Sequence, residues 1–220
     1  MEFTLQGYIF VITFVLVFLL LLYRRHRIKT NQRRLAFIDG FQFPDNVKIK
    51  VQEKYNHLTD SDLALVEKGL KEWFYISFYA KGKAASMPSQ VVDVAWHEFI
   101  LFTKMYQGFC DSAFGYFLHH TPSEAMKSQK SAQKGIKLTW KIACTRENIS
   151  PSTPKKLPVL FGIDARLKIP DGFKYSLNCD GPRSQGYCAT HIGCTSTPSC
   201  FGGDSDSGSS GCSSCGGGGD

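Results

Sequence analysis

With 220 residues, 43% of them hydrophobic and 13% aromatic, the chain can bury one ordinary hydrophobic core. Its net charge of +7 is poor evidence for a nucleic-acid binder, because Arg24, Arg25, Arg27, Lys29, Arg33 and Arg34 nearly account for the excess within one short segment. Six of the eight cysteines lie at or beyond Cys179, so cysteine chemistry belongs chiefly to the C-terminal end.

Residues 8–23 run without a charge from Tyr8 to Tyr23 and then meet the basic collar, residues 24–35. A membrane span needs roughly twenty mainly apolar residues, a length the run reaches when counted from Phe3 or Leu5 through Tyr23 with Gln6 as its one strongly polar interruption, and tyrosines suit its two interfaces. A cleaved signal peptide would need a basic region before the apolar run and a small-x-small site after it. Neither is present, so a single transmembrane helix is expected. The positive-inside bias places residues 1–7 outside the cell (plasma or inner) membrane and everything after Tyr23 in the cytoplasm. The six collar cations either hold anionic lipid headgroups, at about 1 kcal/mol each, or only set this topology.

Residues 36–179 read as one mainly α domain. Thr59-Asp60-Ser61-Asp62 offers side-chain oxygens to a helix start, and Leu63, Val66, Leu70, Trp73, Phe74 and Phe78 then share one helical face. Pro88-Ser89 opens a second helix through Val91, Val92, Val94, Ala95, Trp96, Phe99, Ile100, Leu101 and Phe102, apolar almost all round and therefore expected to be central. Gly108 and Gly115 bracket an aromatic stretch that ends at His119-His120. Thr121-Pro122-Ser123-Glu124 is a capping box with proline at the first helical position, launching a helix through Ile136, Trp140 and Ala143 toward Cys144. Pro151, Pro154 and Pro158 break that helical pattern. Arg166–Ile169 and Phe173–Ser176 flank a Pro170-Asp171-Gly172 turn, which predicts a small β-hairpin packed on the helices.

The polar residues within the most apolar part of the chain are Asp93, His97, Lys104, Tyr106, Cys110, His119 and His120, and all but Lys104, with Trp96 beside them, form the candidate site. Asp93 and His97 stand four apart, so the carboxylate can orient one imidazole nitrogen and leave the other as a ligand or base. A metal version would recruit Cys110 and His119 or His120, donors that suit zinc. The spacing matches no established metal signature, and Leu101 replaces the second histidine that a zinc-protease helix requires. The favoured expectation is structural: a hydrogen-bonded Asp93–His97 pair, with His97 largely buried against aromatic residues and Cys110 as a small buried hydrophobe.

The run Val92-Asp93-Val94-Ala95-Trp96-His97, followed by Tyr106, Cys110 and His119-His120, resembles the glycine-rich domain-containing protein-like family, known from plants and with short bacterial relatives. The resemblance covers about residues 50–145, with the Gly/Cys-rich end as a compositional match. It implies a helical domain in which Asp93, Trp96, His97, Tyr106 and Cys110 matter together, without a settled chemistry.

From Asp180 to Asp220 glycine and serine dominate, a composition that cannot offset chain entropy, so a disordered Gly/Ser/Cys-rich tail is expected. Cys188-x2-His191-x2-Cys194, with Cys179 and Cys200 outside it, could hold zinc in a reducing compartment. The alternatives are a flexible thiol-bearing tail or, with inverted topology, up to three disulfides. Cys212-x2-Cys215 lacks the βαβ surroundings of a thioredoxin-like motif.

Together these features describe a single-pass membrane protein presenting a helical interaction or scaffold domain to an unidentified protein partner at the cytoplasmic face. The alternatives are a membrane-tethered metal-dependent enzyme using His97 with Asp93, or a zinc-binding tail module. Lysines 127, 130, 134, 137 and 141 could follow one helix surface, but a solvated face accounts for them without nucleic acid.

Overall fold

The computed structural model describes residues 5–120, 129–177, 187–189 and 192. Its elements in chain order are α1 (Leu5–Gly40), α2 (Asp45–Lys54), α3 (Asp60–Ala80), α4 (Gln90–Leu101), α5 (Thr103–Ala113), α6 (Gln129–Arg146), α7 (Val159–Arg166), β1 (Tyr175–Ser176) and β2 (Tyr187–Cys188). The fold is mainly α, as the apolar periodicity predicts.

Helix α1 is a single helix of 36 residues, about 54 Å long, that joins the apolar segment, the basic collar and the domain without a break. Its apolar half is long and hydrophobic enough to cross a membrane, and Phe10 and Phe14 are 71% and 73% exposed there. Its last turns are different. Ile38 is fully buried, Leu35, Phe37 and Phe41 pack against the core, and Arg34 Nη1 donates to the Phe114 carbonyl at 2.7 Å.

Helix α3 is the central element, packed against α1, α2, α4, α6 and α7. It starts on a capping box: the Thr59 side chain accepts from the Asp62 amide, and the Asp62 carboxylate accepts from the Thr59 amide. The face carrying Leu63, Val66, Leu70, Trp73, Phe74 and Phe78 is buried. Gly69 permits the closest approach, since a Cβ there would stand 2.8 Å from Val92 Cγ2 and 3.2 Å from Ile163 Cδ1. Rings from α1 to α5 fill the centre, with Phe74 and Phe109 centroids 4.6 Å apart and Phe41 and Phe109 4.7 Å apart.

Helix α4 begins at Ser89, whose hydroxyl accepts from the Val92 amide. The buried Asp164 of α7 reinforces this start. It accepts from the Ser89 hydroxyl (2.7 Å) and from the amides of Gln90 (2.7 Å), Val91 (3.3 Å) and Phe173 (2.9 Å). Burial pushes its carboxyl above the usual range even though these donors pull the other way. The carboxylate thus ties α4, α7 and the approach to β1 together.

Three local expectations differ from the fold. Helix α4 is not buried all round: Val91, Val92, Ala95, Trp96 and Phe99 face the core, while Leu101 is 71% exposed and His97 is also exposed. The expected hairpin is absent from Arg166–Ile169, because α7 runs to Arg166 and Lys168 then turns with φ 53°. The strand pair that does form is parallel, Tyr175 with Tyr187 and Ser176 with Cys188, so β1 pairs across an intervening segment rather than across a tight turn. The capping box at Thr121–Glu124 lies outside the described residues. Of the expected disordered tail, residues 180–220, Tyr187–Cys188 instead form β2 and Ala189 is buried, while the rest apart from residue 192 lies outside the described residues.

Candidate functional site

The sequence from Asp93 to His120 builds a small polar cluster at the surface from a buried foundation. Trp96 and Tyr106 point inward, 4% and 1% exposed, so their polar atoms need partners inside the protein. The Trp96 indole N–H donates to the Tyr106 hydroxyl at 3.2 Å, and that hydroxyl donates to the Leu118 carbonyl at 2.5 Å. Burial raises the Tyr106 phenol far above its ordinary range, keeping it a donor. Gly115, at φ 78°, ends α5 and sends the chain back toward α4, and the Tyr106–Leu118 bond holds the returning segment.

Two residues beyond Leu118, His120 lies edge-on to Trp96, with ring centroids 4.6 Å apart, and its Nε2 is 3.1 Å from Asp93 Oδ1. The other Asp93 oxygen is 3.3 Å from His97 Nδ1, which also stands 3.0 Å from the Asp93 carbonyl oxygen. His97 Nδ1 and His120 Nε2 thus converge on the two oxygens of one carboxylate. The two imidazole centroids are 4.0 Å apart. One ligand atom from each of Asp93, His97 and His120 falls within 4.8 Å of the others.

Exposure corrects the expected burial of His97. Its side chain is 48% exposed, against 23% for Asp93 and 13% for His120. The four-residue spacing brings His97 to Asp93, but on the solvent side of α4, because Val92, Ala95, Trp96 and Phe99 already occupy the core side. His97 is therefore a surface residue, and the expectation of burial among aromatics is corrected.

The remaining candidates separate cleanly. Cys110 is fully buried beside Tyr106, and burial pushes its thiol up, which fits a core residue and not a ligand of this cluster. His119 is exposed and turned to Phe117, with centroids 4.8 Å apart, outside the Asp93 group. Arg24, Arg25, Arg27, Lys29 and Arg33 are exposed along α1, whereas Arg34 is partly buried in its bond to Phe114. Of the proposed tail ligands, Cys188 is described only through its backbone in β2, and Cys179, His191, Cys194 and Cys200 lie outside the described residues. Sequence reasoning missed the role of Leu118, since a backbone carbonyl leaves no side-chain signal.

The chain belongs to the UCP032817-like family, whose match spans residues 33–195. This corrects the resemblance to the glycine-rich domain-containing protein-like family. The run from Val92 to His97 is short, and its alternation of Val, Ala and Trp with Asp and His follows from packing one face of a half-buried helix. The family region begins within the basic collar and includes the whole Asp93–His97–His120 cluster. No curated protein and no solved structure matches the chain.

Proposed function

We propose that this protein is a single-pass membrane protein that holds a helical binding or scaffold domain at the cytoplasmic face of the cell membrane. In this reading, Asp93, His97 and His120 form the part of the domain that faces ligands. The observation that carries the reading is the continuity of α1, which runs from the exposed apolar segment to the fully buried Ile38. In this reading the helix is an anchor and a core element at once. The exposed cations between Arg24 and Arg33 support a cytoplasmic orientation and contact with anionic headgroups.

The test is labelling of tail cysteines by a membrane-impermeant maleimide, before and after permeabilisation. Labelling that requires permeabilisation is the expected result. Ready labelling of intact cells would overturn the orientation and bring forward disulfide pairing in the tail.

A second reading, a membrane-tethered metal-dependent enzyme, draws on the exposure of His97 beside an orienting carboxylate. It shares the same three residues and differs in requiring that a substrate react there.

A further inference from the structure

We propose that Asp93, His97 and His120 bind one divalent transition-metal ion of the zinc class, with the rest of its coordination sphere open to solvent. The inference rests on the reading that this cluster is the domain's ligand-facing site, and it is independent of membrane orientation.

Two imidazoles and a carboxylate suit zinc and its neighbours, whereas calcium and magnesium prefer oxygen alone. The geometry is nearly in place. Donors about 2.0–2.1 Å from a tetrahedral ion are separated by roughly 3.3 Å, and His120 Nε2 and His97 Nδ1 stand 3.1 and 3.3 Å from the two different oxygens of Asp93. One ligand atom from each of the three residues already lies within 4.8 Å of the others, so the donors are gathered at one place.

The charges favour a cation of this kind. The two rings stand 4.0 Å apart over one shared carboxylate, an arrangement that a single divalent ion can satisfy through one nitrogen of each ring. His97 and Asp93 come from one turn of α4, and His120 comes from a segment fixed by the Tyr106–Leu118 bond. That bond and the Trp96 ring against His120 are the supports that orient a ligand from behind. The exposed position of His97 leaves an open side, as in sites that exchange a water or a second ligand.

The experiment uses the full chain in detergent micelles. Cys179, Cys188, Cys194, Cys200, Cys212 and Cys215 are replaced by serine and His191 by alanine, so that tail ligands cannot contribute. Cobalt(II) is titrated optically and then displaced by zinc. One cobalt per chain is expected, with visible ligand-field bands and no thiolate charge-transfer band. His97→Gln and His120→Gln should each weaken binding by more than about 100-fold, beyond the loss that follows when only a residue supporting a ligand is changed, whereas His119→Gln should leave it intact. His97 is a surface residue, so its variant separates lost binding from lost folding. Absence of stoichiometric cobalt, or binding unchanged in His97→Gln, would overturn the site. Metal uptake that requires the tail cysteines would overturn it as well. The maleimide experiment reports on orientation whatever the cobalt result.

Discussion

The Tyr106 hydroxyl donates to the carbonyl of Leu118 while accepting from the Trp96 indole, and this one phenol fixes the segment that delivers His120 to Asp93. Tyr106→Phe keeps the ring and removes both bonds. Leaving a buried donor and a carbonyl without their partner should cost about 1–3 kcal/mol. Amide exchange of residues 115–120 should accelerate more than that of α3. Unchanged protection of that segment would show that packing alone holds His120.

His97→Ala removes an exposed ring whose contacts are with Asp93 and His120. Surface pairs of this kind contribute little, so the metal-free variant should unfold within about 1 kcal/mol of the parent. A larger loss in urea denaturation would restore the structural role that the Asp93–His97 spacing suggests.

Asp164→Asn preserves the shape of a carboxylate that accepts four hydrogen bonds from two elements. The amide nitrogen would face donors in place of an acceptor, at a cost of about 3 kcal/mol. The thermal midpoint should fall well below that of the parent. An unchanged midpoint would mean that the α4 start is held by Ser89 alone.

Alkali should destabilise the domain. Burial, with Glu147 adding to it, pushes the Cys144 thiol up to about 12, and burial moves the Cys110 thiol and the Tyr55 and Tyr106 phenols in the same direction. Each folded group keeps its proton at a pH where the unfolded group loses it. The native state then binds more protons, and stability falls as pH rises from about 9 toward 12. Urea midpoints at about pH 8 and about pH 11 test the sign, and equal midpoints would contradict it.

Local signals carried much of this fold, and their failures have identifiable causes. Thr59 and Asp62, Ser89, and the apolar face from Leu63 to Phe78 act through neighbours in sequence, so their roles are readable there. Helix α7 and the parallel strand pair are not, because each is joined to distant chain, Asp164 to Ser89 and Tyr175 to Tyr187. At the site, the spacing of Asp93 and His97 reveals their pairing but not which side of α4 faces water. His120 joins them across 27 residues through a backbone carbonyl, which explains why the sequence offers Cys110 and His119 as equal companions.

The anchor is tested most directly by asking what becomes of residues 8–23 in the mature protein. Membranes from expressing cells should be washed at alkaline pH and the protein recovered for intact mass and N-terminal peptide analysis. Retention in the pellet, with the apolar segment still attached to the domain, is the predicted result. A soluble product that begins after Tyr23 would identify the segment as a cleaved signal sequence and contradict the membrane-anchored account.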